Sequence, residues 1–523
     1  MRDFQVPGRS ATYATNGMCA TSHPLAAGTA IDTLKAGGNA VDAAIAGAVL
    51  LGICEPQMTG IGGDCFALIK PAGSQQVLAL NGSGRAPMGL SAQTIRAAGH
   101  AVMPFYAAES VTLPGAVDAF CKLSADYGLL GIDRILAPAI RYADEGVPVA
   151  PRVASDWEGA VPTLSGDARK FYLMQGSAPT LGQIFRAPGQ AEVLRRIAAQ
   201  GREGFYAGEV AEDMVASLNA LGGTHSLADF AAVSADYTAP ISGTYKGIEL
   251  IEHPPNGQGA TAILMLNILS HFDLGAMDPH GALRAHIEAE AAKLAYDARN
   301  RFIAEVSPRL DHMLSPDTAS RLAALIDPDR AMADPAPVSE AVHKDTILIT
   351  VVDRDGMAVS LIYSIFHSFG SGLASAKFGI NFQNRGAGFT LTEGHPNEAG
   401  PGKRPMHTII PGMIRQNDRV SMTFGVMGGA YQPNGHARLI TDMVDFGMDP
   451  QTSFQSPRSF GALAEMQVER GYPEGVRAAL AELGHTVATP EVPLGGAQAI
   501  VMDDSGVLIG ASDPRKDGCA VGY

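Results

Sequence analysis

The stretch Asp345-Thr346-Ile347-Leu348-Ile349-Thr350-Val351-Val352-Asp353 begins abruptly after a Pro- and Ala-rich run from Asp334 to His343. Its β-formers read as a buried strand whose first residue is Thr346. A threonine there is ordinarily just a strand residue. A threonine that becomes a chain terminus is a different chemical object, because it carries a nucleophilic hydroxyl and its own general base, the α-amine, on one residue. Taken alone, this stretch favours the plain strand residue; the choice between the two readings rests on the strings around it.

Downstream, Arg354-Asp355-Gly356 joins this strand to a second one, Met357 to Ile365, and its Asp-Gly pair favours a tight turn. Ser421 to Met427 reads as another buried strand, Gly428-Gly429 as a turn, His436 to Phe446 as a helix, and the segments 497 to 502 and 506 to 512 as a late hairpin. Upstream, Pro24 to Lys35 and Ala40 to about Ile53 form a helical hairpin. Gly37-Gly38 stops its first arm and Asn39 caps its second. That second arm is apolar nearly all round and should be buried. Glu55-Pro56 ends it, Thr59 to Asp64 turns, and two short strands follow, near 65 to 69 and 77 to 81. Residues 105 to 330 read as mostly helical, interrupted by one strand from Tyr245 to Glu252, and residues 304 to 344 as helices and an exposed connector. Helices, strands, helices and strands in that order fit an α/β fold, a four-layer αββα sandwich.

The 523 residues are 46% hydrophobic, enough for an ample core. Acidic residues outnumber basic ones, 53 to 38, for a net charge of −15, which argues against a nucleic-acid footprint. Five scattered cysteines without a CxxC pair suit a reducing compartment. No secretory h-region or bilayer-length apolar run is seen, so a soluble, cytoplasmic protein is expected. HExxH, GxSxG, Walker A and SxxK strings are absent, which removes common metalloprotease, esterase and nucleotide readings. Gly60-Ile-Gly-Gly63 follows a helix, against a dinucleotide role. His286 and Glu290 lie four apart on a helix and, without further ligands, read as a solvated face, so no metal or cofactor is expected.

Six strings in order carry a resemblance: Gly37-Gly-Asn-Ala-Val-Asp-Ala-Ala44, Gly60-Ile-Gly-Gly63, Lys344 to Ser360, Phe369-Gly-Ser-Gly372, Gly402-Lys-Arg-Pro405 and Gly510-Ala-Ser-Asp-Pro-Arg515. Together they resemble the γ-glutamyltranspeptidase family over nearly the whole chain. The resemblance implies an N-terminal nucleophile hydrolase fold and self-cleavage before a threonine. Counting back from Val351-Val352-Asp353 puts that nucleophile on Thr346, leaving a large subunit 1 to 345 and a small subunit 346 to 523 from one precursor. It also implies an oxyanion role for the Gly428-Gly429 backbone, a nucleophile-orienting hydroxyl on Ser364, and a carboxylate grip by Arg85, whose planar fork suits two oxygens.

The chain departs from the family where the substrate is held. Paired aspartates before a phenylalanine are replaced by Asn384-Arg385-Gly386-Ala387-Gly388-Phe389, so Gly388 stands where a carboxylate would hold an α-ammonium. A paired-serine position is His407-Thr408, and a binding asparagine is Phe366. Arg385 adds a second positive charge, which favours an anionic acid over an amino acid. This pattern resembles a branch of γ-glutamyltranspeptidase-like hydrolases that includes oxamate amidohydrolase. The expected activity is hydrolysis of the amide of a small carboxylate-bearing substrate through a Thr346 acyl-enzyme. Two rivals stand beside it: a true γ-glutamyltransferase or glutathione hydrolase, and an unprocessed, non-catalytic binding protein on the same fold. A homodimer or (αβ)2 assembly is compatible with the sequence, which does not fix oligomeric state.

Overall fold

The computed structural model describes residues 5, 8 to 333, 346 to 462 and 464 to 523. Two seven-stranded antiparallel sheets form its centre. One runs, edge to edge, Thr12–Ala14, Leu508–Ser512, Gly496–Met502, Arg419–Met427, Pro411–Gln416, Ile248–Glu252 and Ile241–Tyr245. The other runs Cys519–Gly522, Met18–Thr21, Ile347–Val352, Ala358–Ser364, Asp64–Lys70, Leu78–Gly82 and Asp236–Thr238. Strands from both sides of residue 345 share each sheet, so that position divides no independent core.

The strand Ile347–Val352 explains the layering. Its side chains alternate between faces with period two. Ile347, Ile349 and Val351 pack with the buried helix Ala40–Cys54 on the outer side. Leu348 and Val352 face the second sheet, where Leu348 meets Met427 and Ile409, and Val352 meets Met413 and Ile500. Both faces are apolar because both are covered. On the far side, the helices Gly259–Leu269, Ala282–Phe302 and Gln432–Phe446 cover the other sheet through Leu250, Phe424 and Val426. The four-layer αββα sandwich is thus present. Buried hydroxyls pin the two sheets together: Thr350 Oγ1 donates to Thr423 Oγ1 at 3.0 Å, and Ser360 Oγ to the Phe424 carbonyl at 2.7 Å.

The first helical arm is Pro24–Lys35 as read from sequence, and Asn39 caps the second by a full capping box with Asp42. The Asp-Gly turn holds as well, pairing Ile347–Val352 with Ala358–Ser364. Tyr245 to Glu252 is a correction. It is the corner of a hairpin between Ile241–Tyr245 and Ile248–Glu252, turned by Lys246 and Gly247 at φ of 43° and 92°. Continuous β-formers on either side masked the turn. Among the described residues, no helix is long and apolar enough to cross a membrane.

Glu55, where the second arm ends, is 3% exposed and accepts a 2.6 Å hydrogen bond from Ser22 Oγ. Burial raises its carboxyl to about 7, against the opposing pull of Lys516 and Ser22. The folded form keeps a proton that the unfolded chain has released. Stability from this group is therefore lost as pH rises from the ordinary carboxylate range to about 7, by roughly 3 kcal/mol. Glu55→Gln removes the ionisation, so its thermal stability relative to the parent should be higher at about pH 8 than at about pH 5. A pH-independent difference in melting temperature would refute this.

Candidate active site

Thr346 immediately precedes its strand and is 1% exposed. The register pairs Ile347 with Tyr363, so one step further the ladder sets Thr346 beside Ser364, the last residue of the neighbouring strand. Their hydroxyl oxygens are 3.2 Å apart. Ser364 Oγ accepts from the Phe366 backbone N–H at 2.9 Å and from Arg385 Nη2 at 3.2 Å. A serine hydroxyl has two acceptor positions and one donor. Either hydroxyl can donate across the 3.2 Å contact to Thr346 Oγ1. Gly63 makes room for this corner: a Cβ there would lie 2.3 Å from the Ser364 carbonyl oxygen.

Arg385 is fully buried in the short turn Arg385–Gly388, inside a small cage. Nη1 donates to Thr408 Oγ1 at 2.9 Å, and the guanidinium lies 4.1 Å from the Phe366 ring centroid. Phe366 adopts φ 78°, a conformation that bulky residues avoid. That strained backbone turns the ring under the arginine. Arg385, Thr408, Ser364 and Thr346 thus form one continuous buried hydrogen-bonded chain.

His407 faces elsewhere. Its Nε2 lies 3.0 Å from Asp64 Oδ2, both side chains fully buried. Asp64 also accepts from Gly84 N, Gly115 N and Gln383 Nε2 at 2.8, 3.2 and 2.9 Å. Burial, then the Arg385 charge, lowers His407 to about 3, so the ring is neutral at ordinary pH. A carboxylate only accepts, so Nε2 carries the proton and donates to Asp64. His407 supports the loop through Asp64, while its neighbour Thr408 reaches Arg385.

Gly428 and Gly429 follow the strand Arg419–Met427 with φ of 118° and 53°. A Cβ on Gly428 would come 2.8 Å from the Gly495 Cα. Beneath them lies a polar brace. Gln258 Nε2 donates to the carbonyls of Gly429 and Thr408 at 3.0 and 2.6 Å, Arg299 Nη1 donates to Gln258 Oε1 at 2.9 Å, and the Tyr296 hydroxyl bonds the Ala430 carbonyl. Gln258 thereby couples the glycine turn to the segment that carries Thr408.

Arg85 stands apart from this cluster. Its side chain is 41% exposed and donates to Glu305 Oε1 at 2.6 Å and the Gly402 carbonyl at 2.9 Å. Both of these bonds use the same nitrogen, Nη1. Gly388 has closed its position sterically, since a Cβ there would lie 2.6 Å from the Met406 carbonyl oxygen. It lines a cleft of about 330 Å³ with Phe389, Met406, Asn300 and His395. Asp345 lies outside the described residues.

Sequence reading missed Asp64, Gln258, Arg299 and Tyr296. Only Asp64 left a local signal, as the carboxylate closing the glycine turn. The others sit on helices, or just before them, as unremarkable polar residues.

A buried threonine stands at a strand start inside an αββα sandwich, and the family model described as gamma-glutamyltranspeptidase matches residues 26–523. The chain belongs to the γ-glutamyltranspeptidase family. Like that family it is an N-terminal nucleophile hydrolase, an amidohydrolase by class. It is 34% identical to the glutathione hydrolase-like YwrD proenzyme of Bacillus subtilis, over 97% of this chain and 98% of that one. It is also 34% identical to the oxamate amidohydrolase proenzyme of Klebsiella pneumoniae, over 98% of this chain and all of the other. Among solved structures, the cephalosporin acylase of Bacillus halodurans superimposes with a TM-score of 0.92 at 38% identity, covering 100% of this chain and 99% of that one. The Bacillus subtilis and Klebsiella pneumoniae relatives are both named as proenzymes.

Proposed function

We propose that this γ-glutamyltranspeptidase-family protein is cut between Asp345 and Thr346 and then hydrolyses the amide of a short carboxylate-bearing acid, with Thr346 as nucleophile and Arg385 as the carboxylate clamp. The freed α-amine, with an ordinary pKa of about 7.7 to 8.0, takes the Oγ1 proton as Oγ1 attacks the amide carbonyl. Backbone N–H groups of Gly428 and Gly429 receive the oxyanion. The amine returns its proton to the leaving group, and water then hydrolyses the acyl-threonine. Ser364 orients Oγ1 throughout.

The observation that carries the substrate reading is the reach between clamp and nucleophile. Two 3.2 Å hydrogen bonds in series, through Ser364 Oγ, cap the distance from Arg385 Nη2 to Thr346 Oγ1 at about 6.4 Å. An attacked carbonyl carbon sits about 3 Å from the nucleophile. A carboxylate bonded directly to that carbon, as in oxamate, or one or two carbons away, spans the remaining gap without folding. A γ-glutamyl group separates the two functions by three carbons and also needs an acceptor for its ammonium, where Gly388 offers none. The name of the Klebsiella relative agrees with the shorter acid. The name of the Bacillus subtilis relative keeps glutathione as the second reading.

The test is a substrate panel on purified protein. Ammonia release from oxamate, malonamate and succinamate should exceed γ-glutamyl-anilide cleavage by about tenfold or more in kcat/KM. Faster anilide cleavage would reject the short-acid reading. A single uncut band at 54.4 kDa under every condition would reject processing.

A further inference from the structure

The helix face carrying His286 and Glu290, expected in solvent, is buried, and both side chains are 0% exposed. A third group joins them from 199 residues away: His485, in the turn after the helix Glu474–Glu482, is 7% exposed. His286 Nδ1 lies 2.8 Å from His485 Nε2, and one ligand-type atom from each of the three residues lies within 4.8 Å of the others. Among the described residues, no other trio of His, Cys, Asp or Glu comes so close. His286 Nε2 donates to the Asp327 carbonyl at 2.8 Å, which fixes its tautomer and leaves the Nδ1 lone pair facing His485. Glu290 accepts from Met332 N on one oxygen and from Lys293 Nζ on the other, both at 2.8 Å.

We propose that His286, Glu290 and His485 form a binding site for a borderline divalent cation of the zinc class, with Lys293 as its built-in competitor. Two imidazole nitrogens, one carboxylate oxygen and one water make the usual four-coordinate set for such an ion. Metal–nitrogen bonds of about 2.0 to 2.1 Å at a tetrahedral angle put two nitrogens about 3.3 Å apart. The present pair need open by only about half an ångström. On binding, the His485 Nε2 proton moves to its Nδ1, a tautomer change that releases no net proton. Lys293 opposes the ion, because its ammonium already neutralises the only carboxylate and would repel a dication nearby. Affinity is therefore set by whether Lys293 turns away. His286 and Glu290 precede Thr346 in the chain and His485 follows it, so a bound ion would cross-link the two subunits. That consequence rests on cleavage at Thr346; the binding does not.

The test uses full-length protein freed of metal by chelation, titrated with Zn²⁺ by calorimetry and with Co²⁺ by visible absorption. One saturable site is expected, with the intense visible bands of tetrahedral cobalt(II). His286→Ala and His485→Ala should each weaken it at least about tenfold, and Lys293→Met should tighten it by a similar factor. His485→Gln, at the edge of the cluster, serves if an alanine variant fails to fold. No saturable binding in the parent chain, binding that appears only in Lys293→Met, or binding untouched by the histidine variants would each overturn the proposal. The trio would then be a hydrogen-bonded histidine pair beside an ion pair. Cleavage is read separately on a denaturing gel, so failure of one reading is not mistaken for failure of the other.

Discussion

Thr346→Ala should leave the chain in one piece and lower turnover by about four orders of magnitude or more. Both losses follow from one atom. Without Oγ1 nothing attacks the Asp345 carbonyl, so the α-amine that serves as base is never released. Any chain cut by other means would then offer an amine beside a methyl group and no nucleophile. The 3.2 Å hydrogen bond to Ser364 that the substitution removes costs about 1 kcal/mol, so the fold should survive and thermal unfolding can verify it. Thr346→Ser keeps the hydroxyl and should retain both cutting and measurable rate. Cleavage before residue 346, or turnover near the parent rate, in the alanine variant would end the assignment of the nucleophile.

Arg385→Met should lower kcat/KM for a short anionic amide by about 10²- to 10³-fold, within the 2 to 5 kcal/mol typical of losing one partner of a buried charged hydrogen bond. The change keeps apolar bulk against Phe366 and removes the charge and its five donors. Arg385 also touches Ser364, so a loss of activity alone would not separate clamping from positioning. A neutral amide without the carboxylate supplies the discrimination. If Arg385 grips the carboxylate, the neutral amide should be nearly unaffected while the anionic one falls, chiefly through KM. Arg385→Lys should recover part of the loss as a point charge. Parallel losses on neutral and anionic amides would mean that Arg385 works only through Ser364, and the short-acid reading would lose its support.

Arg85 differs from Arg385, because the structure engages it with Glu305 and the Gly402 carbonyl. Its sequence surroundings, a turn followed by Ala-Pro, carry no sign of where the side chain goes. Gly388 is the converse case. In sequence it is only a missing carboxylate; in the fold it is a position that Met406 has closed to any side chain.

By itself the sequence determined the strands and helices around the site, the nucleophile candidate and the departure at residues 384 to 389. Those features are local. Asn39 caps the helix that follows it, Asp355-Gly356 turns the strands that flank it, and Thr346 is reached by counting back from Val351-Val352-Asp353 within the family-like string. What only the tertiary structure decided is which side chains meet. Asp64 and His407 are 343 residues apart, His286 and His485 are 199 apart, and Gln258 reaches a glycine turn 171 residues on. Such contacts depend on how two sheets stack and which loops close over their ends. No short-range pattern of hydrophobicity or turn residues encodes that. The Thr346–Ser364 contact lies between the two cases: the hairpin that creates it was legible, while the Arg385 guanidinium that completes it arrives from a loop placed only by the packed sandwich.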